Sequence, residues 1–234
     1  MIKIKSIFIK KSYLILIIAI MLLLIFVISF TYGTDNKVCD EELYKLYKQK
    51  KLIMLTFDDG PSKYTQYLSE ELTKRNAKAT FFVLGQNIDK HDILNEVNKN
   101  HEIGMHGYDH KLFTRLKNEQ IQNQIDITNN KIFEKTNKKT SLIRVPYGSV
   151  SIRVNNMLKK NELTSILWTV DSKDWSYRNT DTTYNHVIKK IQGNDIILMH
   201  DIYETSIKTA LKLVDELTNK GYKFITVSEY LAIK

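Results

Sequence analysis

The sequence predicts an α/β fold, a distorted (β/α)7 barrel in which parallel strands alternate with helices. From residue 51 onward, short apolar runs alternate with longer segments whose apolar residues recur at helical spacing. Strands separated by helices pair in parallel, because each helix returns the chain to the same end of the sheet. Polar side chains with catalytic potential follow most of these strands, and barrels of this class carry their chemistry at the carboxyl ends of the strands.

The individual elements follow from these patterns. We predict strands at Leu52–Phe57, Ala79–Val83, Glu102–Met105, Leu142–Arg144, Leu163–Thr169, Ile196–Met199 and Phe224–Val227. Helices are predicted at Thr65–Arg75, Ile93–Asn100, Glu119–Thr136, Ser151–Lys160, Thr182–Ile191 and Thr205–Lys220, followed by a short terminal helix. Ser149 or Ser151 is the expected cap of its helix. Trp168 lies within an apolar strand, and we assign it to the core.

The sequence before residue 51 predicts a membrane anchor. Residues 1–11 are basic and contain no acid, and the run from Ser12 to Thr34 is uncharged. An apolar helix of roughly 20 residues spans a bilayer core. We therefore predict a cytoplasmic tail over 1–11, a transmembrane signal-anchor over 12–32, a tether over 33–50 and an external domain over 51–234. The alternative is a cleaved signal and a secreted protein, but the residues after the run offer a poor cleavage site.

The composition limits the class of protein. The chain has 234 residues, of which 43% are hydrophobic and 26% charged, as is typical of a folded globular protein. Its single cysteine, Cys39, excludes an intramolecular disulfide. The net charge of +9 suits an anionic partner such as a cell-wall polymer, or has no specific meaning. We find no nucleic-acid motif, and we expect a monomer that binds no nucleic acid.

Potentially reactive residues follow five of the predicted strands. They are Asp58–Asp59, His106–His110, Arg144–Gly148, Asp171–Trp175 and His200–Asp201. Both prolines of the chain lie in these loops, which predicts rigid backbone where catalytic groups need fixed positions. Taken alone, Asp58 and Asp59 before Gly60 are also typical of a surface turn.

His106 and His110 are four residues apart, which brings both rings to one ion if the turn between them is helical. A carboxylate from Asp59 completes three ligands, as in catalytic zinc sites that keep a position for water. The same set suits cobalt, nickel or manganese, so the residues do not identify the metal. Two surface histidines are the alternative interpretation.

Three further residues have the chemistry of acid–base catalysis. Arg144 can reach across the mouth of the barrel to Asp58 and keep that carboxylate ionised as a base. His200 can act as a general acid, and a carboxylate such as Asp174 beside it favours the imidazolium. A surface arginine and a core histidine are the alternatives. Trp175 can form the wall of a small pocket or bind a sugar face.

The order and spacing of these motifs resemble the polysaccharide deacetylase family, the NodB-homology domain of carbohydrate esterase family 4. The motifs are Thr-Phe-Asp-Asp-Gly (56–60), His-x3-His (106–110), Arg-x-Pro-Tyr-Gly (144–148), Asp-x2-Asp-Trp (171–175) and Ile-Leu-Met-His (197–200). The resemblance covers about residues 51–232. It implies metal-dependent removal of N-acetyl groups from an amino-sugar polymer, with peptidoglycan as the expected substrate. Chitooligosaccharide or O-acetylated xylan deacetylation and a non-catalytic wall-binding module are the alternatives.

The resemblance also implies a role for each motif residue. The metal ligands would be Asp59, His106 and His110, holding one divalent ion such as zinc, cobalt, nickel or manganese. The acid–base groups would be Asp58 as base and His200 as acid, with Arg144 orienting the first and Asp174 tuning the second. The substrate-binding residues would be Tyr147, whose N–H holds the oxyanion, and Trp175 and Leu198, which line the acetyl pocket.

Gly107 departs from the family pattern, which usually has Ser or Thr after the first histidine. The hydroxyl that steadies the loop is lost, which puts the metal affinity in question. Some sporulation-associated deacetylases resemble this Gly-Tyr version, which adds a spore-wall role to the expectations.

Overall fold

The sheet is parallel and has its longest strand at the centre. A computed structural model describes residues 13–14, 16–24 and 41–234, and in this part of the chain eight strands form one sheet. The strands are β1 (Leu52–Asp58), β2 (Ala79–Val83), β3 (Glu102–Met105), β4 (Leu142–Ile143), β5 (Thr164–Ser165), β6 (Val170–Asp171), β7 (Asp195–His200) and β8 (Lys223–Phe224). Their order is β5-β4-β3-β2-β1-β7-β6, with β8 paired to β1. The ladders are parallel, so the predicted parallel α/β architecture is confirmed.

β1 is buried along its whole length. A parallel strand in the middle of a sheet is covered on both faces, which explains its continuous apolar run. Asp58, the last residue of β1, is paired with Phe82 of β2 and with His200 of β7. Parallel register therefore brings Asp58 and His200 to the same edge, side by side.

The predicted strand Leu163–Thr169 is wrong as a single strand. The structure divides it into β5, which pairs with β4, and β6, which pairs with β7. Between them, the carbonyls of Ile166 and Leu167 accept hydrogen bonds from the Arg144 guanidinium at 3.1 and 3.3 Å. We call residues 164–171 the crossing segment. No described ladder joins β5 to β6, the two end strands of the sheet. The eight strands therefore form an open half-barrel, and the predicted (β/α)7 barrel is wrong in its closure.

The helices match most predictions within a few residues. Their bounds are Thr65–Lys74, Gly85–Ile88, Leu94–Asn100, Asn118–Thr136, Ile152–Lys160, Asp174–Tyr177, Thr180–Ile188, Glu204–Asn219 and Val227–Ile233, with 3₁₀ turns at Phe113–Arg115 and Pro146–Gly148. Ser151 is the cap of its helix, and its side chain accepts from the Val154 N–H at 3.3 Å. The predicted strand Phe224–Val227 is wrong at its end, because Thr226 and Glu229 form a capping box that begins the last helix.

The predicted N-terminal anchor over residues 12–32 is described only in part. Residues 13–14 and 16–24 are helical, as are residues 41–48. The tail 1–11, residues 12, 15 and 25–32, and tether residues 33–40 with Cys39 lie outside the described residues. Within the described ranges, no helix combines the length and the apolar content needed to cross a bilayer. The chain divides into two units, Met1–Lys45 and Leu46–Lys234, and the candidate site lies in the second.

Candidate active site

The predicted site residues come together at the carboxyl edge of the sheet. They surround a cavity of about 370 Å³. Those that line it are Asp58, Asp59, His106, His110, Tyr147, Trp175, Leu198 and His200. The other two, Arg144 and Asp174, are buried behind the lining, and each is bonded to one residue of it.

Arg144 is fully buried and holds Asp58 in place. One of its terminal nitrogens donates to Asp58 Oδ1 at 2.8 Å and to Thr56 Oγ1 at 2.7 Å. The rest of the guanidinium donates to the two carbonyls of the crossing segment. An arginine with this many fixed acceptors cannot turn away from the carboxylate. The structure thus places Arg144 where the sequence predicts it, across the mouth of the half-barrel from β1.

Asp59, His106 and His110 form a group that can hold a metal ion, since one ligand atom from each lies within 4.8 Å of the others. Asp59 Oδ1 is 3.6 Å from His106 Nε2 and 3.5 Å from His110 Nε2. His106 Nδ1 is 2.7 Å from the Arg144 carbonyl. That carbonyl accepts the Nδ1 proton, which leaves Nε2 with a lone pair for a metal.

The state of these ligand atoms fits a divalent cation. Asp59 Oδ1 is buried and has no hydrogen-bond partner in the described part of the chain, and a buried carboxylate oxygen normally has one. Burial lowers the pKa of His110, against the charge of Asp59, which raises it. A lowered pKa favours the neutral imidazole, and that is the form that binds metal.

The loop between the two histidines is not helical, so the helical turn that would bring both rings to one ion is not what this chain uses. Residues 106–110 have no helical turn, and Gly107 and His110 have φ of +78° and +60°. The two rings nevertheless converge, with centroids 5.0 Å apart. A Cβ at position 107 would lie 3.2 Å from Phe113 in a backbone conformation that favours glycine. The loop conformation therefore favours glycine at position 107 over the Ser or Thr that is usual in the family.

Asp174 holds His200 through both the ring and the backbone. Its Oδ1 accepts from His200 Nδ1 at 2.8 Å, and its Oδ2 accepts from the His200 N–H at 2.8 Å and from Ser206 Oγ at 2.6 Å. Burial lowers the pKa of His200, but the hydrogen bond and charge of Asp174 outweigh it and raise that pKa to about 9. His200 is therefore an imidazolium at neutral pH, with Nε2 left to act as an acid.

Asp201 is a buried carboxylate to which the sequence assigned no role. It accepts a hydrogen bond from Thr65 Oγ1, and its backbone carbonyl accepts from Ser62 Oγ at 2.6 Å. Burial raises the pKa of Asp201 to about 7. A Cβ on Gly60 would lie only 2.5 Å from its Oδ2. Asp201 therefore packs directly against the turn that carries Asp59.

The wall of the cavity is aromatic and apolar. Trp175 and Tyr147 are half to two-thirds exposed, whereas Leu198 is buried. The Tyr147 ring lies edge-on to His110, with centroids 4.5 Å apart. Trp168 also lines the cavity, so its assignment to the core is wrong, because its strand is broken at the crossing segment.

Two more lining residues, Asp171 and Tyr203, were not predicted as site residues. Asp171 begins the Asp-x2-Asp-Trp motif, and that position was the available signal. Tyr203 follows His200 by three residues and carried no separate signal.

The fold and the site together define an α/β half-barrel with a candidate metal centre beside the paired residues Asp58 and His200. The sequence model described as "Polysaccharide deacetylase" matches residues 45–166, just over half of the chain. The chain belongs to the polysaccharide deacetylase family.

Similar proteins include peptidoglycan deacetylases. The chain is 32% identical over 199 residues to a peptidoglycan-N-acetylglucosamine deacetylase of Bacillus cereus, covering 82% of this chain and 93% of that protein. It is 35% identical over 185 residues to the peptidoglycan-N-acetylglucosamine deacetylase PgdA of Listeria monocytogenes. That match covers 78% of this chain and only 39% of the Listeria protein.

Solved structures agree in fold. The peptidoglycan deacetylase PdaC of Bacillus subtilis aligns with a TM-score of 0.75 at 34% identity, over 78% of this chain and 91% of that structure. A carbohydrate esterase family 4 pseudoenzyme of Bacillus anthracis aligns with a TM-score of 0.71 at 30% identity, over 77% of this chain and 65% of that structure.

Proposed function

We propose that the protein is a metal-dependent hydrolase that removes N-acetyl groups from the amino sugars of peptidoglycan. The observation that carries the proposal is the position of Asp58 and His200. They occupy paired positions on neighbouring strands and line one cavity with the ligand set Asp59, His106 and His110. An acid and a base on either side of a reacting amide, beside a metal, are what amide hydrolysis requires.

A divalent ion held by the three ligands, zinc or alternatively cobalt, nickel or manganese, would polarise the acetyl carbonyl and lower the pKa of the attacking water. Asp58 takes the proton of that water. The Arg144 guanidinium, 2.8 Å from Asp58 Oδ1, holds that carboxylate in its orientation. The backbone N–H of Tyr147 helps to hold the oxyanion.

His200 completes the reaction by protonating the sugar nitrogen as it leaves. Its raised pKa, about 9, keeps it charged at neutral pH. Asp174 fixes the ring so that Nε2 is the donating atom. Trp175 and Leu198 enclose the methyl group of the acetyl, and their apolar surface excludes water from it.

The proposed substrate rests on the relatives, which are named for N-acetylglucosamine and N-acetylmuramic acid in peptidoglycan. The test is acetate release from peptidoglycan by the purified full chain, with mass spectrometry of the products to identify the deacetylated sugar. Asp58→Asn and His200→Ala should each lower the rate on the order of a hundredfold or more. Asp181→Asn and His91→Ala, which change the same residue types away from the cavity, are the matched controls. Wild-type rates in both site variants would refute the assignment.

A second candidate is a wall-binding module without turnover, because a pseudoenzyme shares the fold. Retention on peptidoglycan without acetate release by the wild-type chain would favour it. Ester and amide substrates tested side by side would distinguish O-acetylated xylan, and chito-oligomers would test the remaining alternative.

We also propose that residues 12–32 hold the protein in the cell membrane with the catalytic unit outside. The uncharged run after a basic tail supports this. Membrane fractionation with N-terminal mass analysis tests it, and a mature protein that begins after residue 32 would refute it in favour of secretion.

A further inference from the structure

Gln124 lies in the helix Asn118–Thr136 and does not line the cavity, yet its side chain binds the loop between the two histidine ligands. Its Oε1 accepts from the backbone N–H of Tyr108 at 2.6 Å and of Asp109 at 3.3 Å. Its Nε2 donates to Asp109 Oδ1 at 2.8 Å. Gln124 itself is 7% exposed, and its three bonds to the loop are partly buried.

The carbonyls of the same loop are held from the other side. The backbone N–H of Gly85 donates to the Gly107 carbonyl, and that of Gln86 donates to the Tyr108 carbonyl, both at 3.0 Å. The loop therefore has two supports, the helix Gly85–Ile88 for its carbonyls and Gln124 for its N–H groups. Residues 107–109 form neither strand nor helix, so the loop makes no regular backbone hydrogen bonds of its own that could replace these supports.

Gln124 also packs against Gly107. A Cβ at position 107 would lie 3.3 Å from Gln124 Oε1. The amide of Gln124 thus bonds Tyr108 and Asp109 and occupies the space beside Gly107.

The two histidines depend on this loop to different degrees. His106 follows β3 directly, and its Nδ1 is fixed by the Arg144 carbonyl at 2.7 Å. His110 has φ of +60°, and its side chain is 29% exposed. The position of His110 relative to His106 is therefore set mainly by the loop that Gln124 holds.

We propose that Gln124 is a positioning residue that sets the distance between His106 and His110 and thereby the metal affinity of the site. The inference rests on the proposed function, because it concerns the same ion. Removing a group that hydrogen-bonds a metal ligand typically lowers metal affinity by about 10- to 100-fold. Gln124 acts through the loop between the ligands, so we expect the lower end of this range.

The test measures metal binding rather than turnover. The full chain, purified in mild detergent, is titrated with Zn²⁺ against a chromophoric chelator, and the absorption spectrum of bound Co²⁺ reports the ligand geometry. Gln124→Met should weaken Zn²⁺ binding by about tenfold and alter the Co²⁺ spectrum. Gln122→Met is the matched control. Gln122 lies in the same helix as Gln124 but bonds Asp126 and Asn161 instead of the loop, so this variant should leave both readouts unchanged.

A rescue pair separates positioning from a general loss of stability. Gln124→Glu brings a carboxylate against Asp109 and should also weaken binding. Adding Asp109→Asn places an amide donor at position 109 opposite the carboxylate at position 124, which still accepts from the backbone N–H groups of residues 108 and 109. The double variant should therefore bind Zn²⁺ within about threefold of wild type, since contacting residues couple. This pair also tests the proposal if Gln124→Met does not fold.

Wild-type affinity and an unchanged Co²⁺ spectrum in Gln124→Met would overturn the inference, as would a double variant no better than Gln124→Glu. In either case the wild-type chain still binds metal and the proposed function stands. A wild-type chain that binds neither Zn²⁺ nor Co²⁺ would instead overturn the metal-dependent function, and this inference with it.

Discussion

The two sides of the cavity are built by different means. On one side, Asp58 and His200 are paired in the β1–β7 ladder, so backbone register sets their positions. On the other side, the middle of the crossing segment lies between two ladders, and the Arg144 guanidinium holds the carbonyls of Ile166 and Leu167. The proposed acid and base therefore take their places from the main chain, whereas the facing wall depends also on one buried side chain. Changes on the first side should alter chemistry, and changes on the second should alter stability as well.

Metal removal should have the largest effect on turnover. Dialysis against a chelator should reduce acetate release to background, because the site loses the cation that Asp59, His106 and His110 would hold. Added Zn²⁺ should restore acetate release. Reloading at 100 times Kd should also raise the free energy of unfolding by about 2.7 kcal/mol. Asp59→Ala should not be rescued under the same conditions. Full activity in a verified metal-free preparation would remove the metal from the mechanism.

Arg144→Met should have the largest effect on stability. It leaves Asp58 as a buried charge without its partner, which typically costs about 3–5 kcal/mol of unfolding free energy. It also releases the crossing segment, so acetate release should fall with it. Urea unfolding measures the first effect. Arg153→Met, which removes a partly exposed arginine bonded to the Phe113 and Thr114 carbonyls, is the control and should cost about 1 kcal/mol. Equal costs in the two variants would contradict the special position of Arg144.

Asp174→Asn should alter the chemistry of His200 and should cost less unfolding free energy than Arg144→Met. Without the carboxylate, only the charges of Asp58 and Asp59 oppose the lowering of the His200 pKa by burial, so the ring is neutral at a lower pH. The alkaline limb of kcat, which His200 places near pH 9 in the wild type, should move to lower pH. An unshifted limb would exclude His200 as the group that must stay protonated.

The raised pKa of His200 also predicts how the free energy of unfolding depends on pH. Because the pKa of His200 rises from 6.5 to about 9 on folding, its contribution to stability is fully present below pH 6.5 and is lost as the pH rises through 9. Urea titrations across this range measure the loss. His200→Ala should show a flatter pH dependence between these limits.

Trp168→Leu should have the smallest effect and tests the wall alone. Trp168 contributes ring surface to the cavity and packs near the Arg144 guanidinium, 5.6 Å from the ring centroid. KM should rise severalfold with kcat nearly constant, since the ring binds substrate and transition state alike. A loss confined to kcat would instead place Trp168 close to the reacting atoms.

The strand side was predictable from the sequence, and the facing wall was not. The apolar run of β1 with Asp58 and Asp59 at its end is a local pattern, and parallel strands bring such ends together. The break at Ile166 and Leu167 depends on Arg144, which is 22 residues away, and no local pattern encodes it. Trp168 was assigned wrongly for this reason. The spacing of His106 and His110 left the form of the turn between them open, and it is not helical, because Gln124 and the helix Gly85–Ile88 supply the loop with hydrogen bonds that a helix would otherwise make.

The contact between Gly60 and Asp201 has a consequence for how the chain can vary. The Asp201 carboxylate fills the space in which a side chain at position 60 would begin, so the glycine of Asp-Asp-Gly-Pro is required by a residue 141 positions later. The two positions form a steric lock, in which enlarging the first demands a smaller residue at the second. A library randomised at both positions should return Gly60 with Asp201, or a larger residue at 60 with a smaller one at 201, and few other combinations.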